Sequence, residues 1–161
     1  MMKLITSKRG EGVVPVAVFI LIAAMLISAV LFVAYVQIET IVVRNAMKTG
    51  LANLSVTISD DTYTALREGN FTEYAARLTK STAYTNELKA AYERDVASVI
   101  DLQTDEYRVS NIRLTFRQDG KKLEYICTCD VSFYIRLFGI NQEVFARSVT
   151  VSGSHTAKYG R

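Results

Sequence analysis

The chain has 161 residues, 50% of them apolar, with 19 basic and 16 acidic side chains and a net charge of +3. That length holds about one domain, and its basic residues are not gathered into the cluster that a nucleic-acid footprint requires, which excludes that class of partner. Two cysteines and one histidine are too few for a disulfide framework or a structural zinc centre.

Residues 1–12 (MMKLITSKRGEG) form a short basic leader, with Lys3, Lys8 and Arg9 against Glu11. Outside the leader the chain is close to neutral. From Gly12 to Ile38 no Asp, Glu, Lys or Arg interrupts the sequence, a run of 27 residues. As a helix it spans roughly 40 Å, more than the roughly 30 Å of a bilayer core. Fifteen Val, Ile, Leu or Phe residues lie within Val13–Val36. At about −0.4 kcal/mol each they favour insertion by roughly 6 kcal/mol. A buried core helix would need protein packed on every side, and the remainder of the chain is too small and too polar to supply it. The stretch is therefore read as a transmembrane helix, with Val13, Pro15, Phe19, Leu21, Leu26, Leu31, Phe32 and Val36 on its membrane and assembly surface. Three basic residues precede it and two, Arg44 and Lys48, follow closely, which places the leader inside and the body outside by the positive-inside rule. The apolar run is too long for an ordinary secretory signal and ends in no small-x-small cleavage site. Two alternatives follow: an uncleaved signal anchor, or cleavage ahead of the helix at Lys8-Arg9-Gly10.

A basic-Gly junction followed at once by a long apolar helix, then a modest domain ending in strands, resembles the type IV pilin-like proteins. Among them it is most similar to the TadE-like minor pilins or pseudopilins of tight-adherence systems. The arrangement covers the whole chain; its specific part is Lys8 to Val36. The resemblance implies cutting after Gly10 by a membrane prepilin peptidase, so that Lys8, Arg9, Gly10 and Glu11 form the processing site and Glu11 becomes the first mature residue. It also implies packing of the freed helix against other pilin-like or assembly-platform proteins. The chain departs from the pattern at the fifth mature position, where pilins commonly carry Glu: a cut after Gly10 puts Pro15 there, and a cut after Gly12 puts Ala17 there.

Beyond the anchor, Tyr35, Glu39 and Arg44 mark the water interface. Val43, Met47, Leu51, Leu54 and Ile58 recur at spacings of three and four, one apolar stripe on a helix reaching about Ser59, with Gly50 weakening it by about 1 kcal/mol. Ser59-Asp60-Asp61 offers side-chain oxygens for an N-cap, predicting a separate short helix over Thr62–Glu68 that Gly69-Asn70 stops. Residues 71–100 carry Phe71, Tyr74, Ala75, Leu78, Tyr84, Leu88, Ala91, Val96 and Val99 at helical spacing, with a break near Lys80–Thr85. Tyr63, Tyr74, Tyr84 and Tyr92 are read as packing residues. Asp60-Asp61 lacks the further oxygen ligands of a calcium loop.

From Tyr107 the period becomes two. Ile112, Leu114 and Phe116 alternate with Arg113, Thr115 and Arg117. Asp119-Gly120 signals a hairpin turn. Leu123, Tyr125, Cys127, Cys129, Val131, Phe133 and Ile135 then share one face. Leu137–Gln142 is expected to turn the chain, Phe145, Val149 and Val151 to form a third strand, and Gly153–Arg161 to fray. The product is an antiparallel meander with one face covered by helices and one wet.

Cys127 and Cys129 lie about 6.5 Å apart along one strand and aim poorly for a disulfide, so they are expected as buried free thiols. His155 is expected in solvent. Asn53-Leu54-Ser55 and Asn70-Phe71-Thr72 match the glycosylation pattern but arise readily by chance. No nucleophile elbow, phosphate-cradling glycine loop or histidine-centred acid–base group is present, and neither a metal nor a cofactor is expected. The fold class expected is α+β, divided into a basic cytoplasmic leader (1–12), a transmembrane helix (13–38) and an extracytoplasmic domain (39–161). The function expected is that of a structural subunit of a type IV pilus-like, tight-adherence envelope assembly, a secretion-system relative without enzymatic activity. Its expected place is the cell membrane or a pilus, and its partners the bilayer, other pilin-like proteins and a prepilin peptidase. The alternatives are an uncleaved accessory protein whose outer domain is a binding module of a transport or conjugation machine, and, third, an anchored enzyme.

Overall fold

A computed structural model describes residues 13–119, 122–137 and 140–156. The order is three helices followed by three strands: α1 (Val13–Arg67), α2 (Phe71–Lys80), α3 (Thr82–Val99), β1 (Tyr107–Asp119), β2 (Lys122–Leu137) and β3 (Ile140–Thr156). The expected α+β class, with a long N-terminal apolar helix, short helices and a three-stranded antiparallel meander in the order β1-β2-β3, is what the chain adopts. Contacts divide it into two units, one ending at Glu39 and the other beginning at Thr40.

The second unit has its core between helices and sheet. Val43, Met47, Leu51, Leu54 and Ile58 of α1 are all buried, as their spacing predicts. The stripe does not stop there. Thr62 and Ala65 continue it at the next intervals of four and three, and both are buried. That continuation overturns the expected break at Ser59-Asp60-Asp61: α1 runs through to Arg67, because an unbroken apolar face outweighs a local capping signal. Asp61 caps nothing and instead accepts the Tyr84 hydroxyl at 2.7 Å. Tyr63, one residue off the stripe and so about 100° around the helix, is 65% exposed and does not pack. Gly69 ends the helix in the left-handed region, φ +76°, a conformation that costs glycine little.

The break between α2 and α3 falls at Ser81, inside the expected Lys80–Thr85 window. Tyr74, Ala75, Leu78, Leu88, Tyr92 and Val96 are buried. Val99 is not, at 53% exposed, because α3 ends there and Ile100 is already extended.

Along β1, Tyr107 and Val109 are buried on odd positions and Ile112, Leu114 and Phe116 on even ones. The parity changes at a register shift between Ser110 and Arg113. There Asn111 takes φ +51°, which Asn tolerates better than most residues, and its side-chain amide donates to Asp130 at 3.0 Å. The bulge keeps one apolar row facing the core on either side of it.

Leu123 to Phe133 form the buried row of β2. Ile135 leaves it and is half-buried, because the pairing with β3 shifts between Phe133 and Tyr134. The hairpin expected at Asp119-Gly120 joins β1 to β2: Asp119 pairs with Lys122, and the connection between them lies outside the described residues. Two further expectations are corrected. The turn expected over Leu137–Gln142 is narrower, since Leu137 pairs with Ile140 and Gln142 with Ile135. Gly153 is not the start of a frayed tail: β3 continues to Thr156, and Gly153 sits opposite Tyr125. The Tyr125 ring lies across it, so that a Cβ on Gly153 would stand only 2.8 Å from Cζ. An aromatic ring covering a cross-strand glycine replaces the side-chain contact that glycine lacks.

Candidate functional site

Two places carry the residues singled out from the sequence. The first is the N-terminal part of α1. Pro15, Phe19, Leu21, Leu26 and Leu31 are exposed, Phe19 by as much as 72%; Phe32 is half-buried and Val36 buried. Val13 begins the helix. From Val14 to Leu31 hydrophobic side chains face outward all around the helix, whereas Val36, expected on that surface, is buried because it falls on the stripe continued by Thr40 and Val43; within the described residues α1 is the one helix long and apolar enough to cross a membrane. Water is the wrong solvent for such a surface. At about 25 cal/mol per Å² of apolar area, each exposed Leu or Phe would favour lipid or a neighbouring apolar helix by about 2 kcal/mol. Ser28, the polar residue mid-segment, donates its hydroxyl to the Ala24 carbonyl at 2.9 Å, so no hydroxyl proton is left to lipid. Lys8, Arg9, Gly10 and Glu11 lie outside the described residues.

The second place is the seam where α1 and α3 meet the sheet. Gly50 is the closest approach. A Cβ there would stand 3.1 Å from Val96 Cγ2 and 3.2 Å from Tyr92 Cε2. The glycine that weakens α1 locally thus makes room for the α3 side chains, which spacing alone did not reveal. Tyr92 is fully buried, and its hydroxyl donates to the Met47 carbonyl at 3.1 Å. The Cys129 thiol donates to Met47 Sδ at 3.3 Å. Cys127 and Cys129 are both buried and both free, as expected from their place on one strand face. Burial pushes both thiols up, Cys129 to about 12, the neighbouring Cys127 adding to the effect. Burial likewise raises Tyr92. Groups held this firmly protonated are packing groups, since the reactive form of a cysteine is the thiolate.

A shallow notch of about 230 Å³ opens beside the α1–α2 turn, lined by residues that include Asp61, Glu68, Glu73 and Arg77. The Arg77 guanidinium lies 4.6 Å from the centre of the Tyr84 ring. Burial chiefly raises the Tyr74 and Tyr84 hydroxyls, with the Asp61 carboxylate adding to it. A second hollow of about 180 Å³ is formed by Gln103, Thr104, Arg108, Tyr134 and Asn141. Neither joins a nucleophile to a base, and among the described residues no three His, Cys, Asp or Glu converge as a metal site. His155 falls on β3 opposite Leu123 in the backbone register.

No protein-family profile, curated protein or solved structure matches the chain.

Proposed function

We propose that the chain is a membrane-anchored structural subunit of a cell-envelope assembly, a type IV pilin-like protein of the TadE-like minor pilin or pseudopilin kind. The observation that supports this reading is α1. One uninterrupted helix of 55 residues is apolar and outward-facing near its N-terminus and carries a single buried stripe from Val36 onward. A helix of that kind serves two environments with one element. Its first part is stored in the bilayer, where its backbone bonds are satisfied internally. In a polymer the same surface would be buried against neighbouring helices. The domain from Thr40 onward, the head of the subunit, would lie on the far side of the membrane from the basic leader and set contacts and position.

In this mechanism Lys8, Arg9 and Gly10 present the cleavage site to a prepilin peptidase, Glu11 becomes the new N-terminus, and Phe19, Leu21, Leu26 and Leu31 form the lateral packing surface. The test is N-terminal sequencing of protein extracted from membranes with and without an active prepilin peptidase. The expected result is a chain beginning at Glu11 only when the peptidase is present. A chain that retains its leader in both preparations overturns the pilin reading and leaves an uncleaved single-pass accessory protein. Pro15, which stands where pilins carry Glu, favours that second reading.

A further inference from the structure

The face of the sheet turned away from the helices carries Arg108, Arg113, Arg117 and Lys122 against Asp119, Glu124 and Asp130. Arg108, Arg113 and Arg117 project from β1 between its buried apolar residues, and all three are exposed. Among the described residues Arg108 and Arg113 have no ion pair. Arg117 stands across from Glu124 and acts on that carboxylate together with Lys122, which holds it at 2.6 Å. The charge is also divided along the chain. Residues 40–106, which form the helices of the head, hold ten acidic against seven basic side chains, a net −3. Residues 107–161 hold nine basic against four acidic, a net +5. At the α1–α2 turn Asp61, Glu68 and Glu73 line the notch beside a single cation, Arg77, and Glu68 and Glu73 are exposed. Neither forms an ion pair among the described residues.

We infer that the exposed face of the sheet docks the α1–α2 turn of a second copy of this chain, head to tail, with Arg113 and Arg117 of one copy set against Glu68 and Glu73 of the next. This rests on the structural-subunit reading and deepens it by naming the contact between heads. The complementary surfaces lie on different parts of the head, so the contact is heterologous and can repeat along a ring or filament. Contact between two like sheet faces would instead oppose arginine to arginine. Copies related by translation keep their anchors pointing the same way, as two copies in one membrane must. Exposed ion pairs are weak one at a time. Copies confined to a membrane meet at high effective concentration, however, so weak pairs suffice to set register and orientation.

The test uses full-length protein in zwitterionic lipid vesicles, with the photocrosslinker p-benzoylphenylalanine in place of Thr115, which is exposed between the two arginines. Irradiation is expected to yield a dimer whose crosslink maps by mass spectrometry to residues 60–77 of the second copy. Its yield should fall roughly tenfold in R113E/R117E and equally in E68R/E73R, as suits a small set of exposed pairs. Yield should return when all four charges are reversed in one chain, and should fall with added salt. A crosslink to lipid, to the sheet face of the second copy or to another protein overturns the inference, as does the absence of a dimer or a yield indifferent to charge reversal. The protein is taken from membranes that hold an active prepilin peptidase, and its N-terminus is sequenced on the same sample. A cleaved, anchored chain without the crosslink defeats this contact alone, and an uncleaved chain with it defeats the pilin reading alone.

Discussion

The two parts of α1 form a comparison within one element. Val14 to Leu31 and Val43 to Ala65 share the same backbone geometry, and both are rich in apolar residues. In the first, apolar side chains are exposed in every direction; in the second, Val43, Met47, Leu51, Leu54 and Ile58 are buried while Arg44, Lys48 and Asp60 face water. Helix formation is therefore indifferent to which solvent follows. The distribution of apolar residues around the axis decides it, since a helix apolar on all sides belongs in lipid or deep protein and one with a single stripe belongs on a core.

Paired substitutions give the largest separation of the two parts. Leu54→Ala should cost the head about 2–5 kcal/mol in thermal or denaturant unfolding and leave membrane extraction unchanged. Leu26→Arg should cost about 3 kcal/mol of insertion, read by alkaline extraction, while the melting of the head is unaltered. If each variant disturbs both readouts, the division of labour along α1 is wrong.

Alkaline pH sharpens the comparison next, because the shifted thiols lie only in the head. Cys129 titrates near 9.0 when unfolded and at about 12 when buried. The folded state holds a proton that the unfolded state releases first, so the contribution is complete below about pH 9 and is lost as pH rises towards 12. Head stability should fall by a few kcal/mol over that window, less steeply in Cys129→Ala. Gly50→Val should cost about 1–3 kcal/mol by overpacking against Val96 and Tyr92, although it would raise helix propensity at an ordinary helical site. Tyr92→Phe should be mildest, about 1 kcal/mol for the lost bond to the Met47 carbonyl, measured by the same unfolding curves.

Much of the fold was legible in the residues. The spacing of Val43 through Ile58, the alternation from Ile112, and the breaks at Gly69 and Ser81 each report a periodicity that packing then used. Misreadings came where a local signal competed with a distant one. Ser59-Asp60-Asp61 offers a cap, but Thr62 and Ala65 stay in register with the stripe before them. Gly153 looks like the start of a loose end, but the Tyr125 ring holds it in the sheet. Residues 138–139 are bracketed by strands that pair right up to them, where composition suggests a wider turn. Of the candidate sites, the outward surface of the anchor was readable from hydropathy alone. The seam of Gly50, Met47, Tyr92 and Cys129 was not, because its members lie on three separate elements.

By itself the sequence determined the apolar N-terminal segment, the order of helices before strands, the faces that each amphipathic element would bury and the burial of both thiols. Those properties depend on periods of 3.6 and 2 that are written within a few turns or residues of one another. The tertiary structure alone decided how far α1 runs, that β3 carries on past Gly153, why a glycine sits at position 50 and, among the described residues, which arginines of β1 form no ion pair. Each of these depends on what a residue meets across the core or the sheet, and that neighbour is up to 82 positions away, as between Met47 and Cys129.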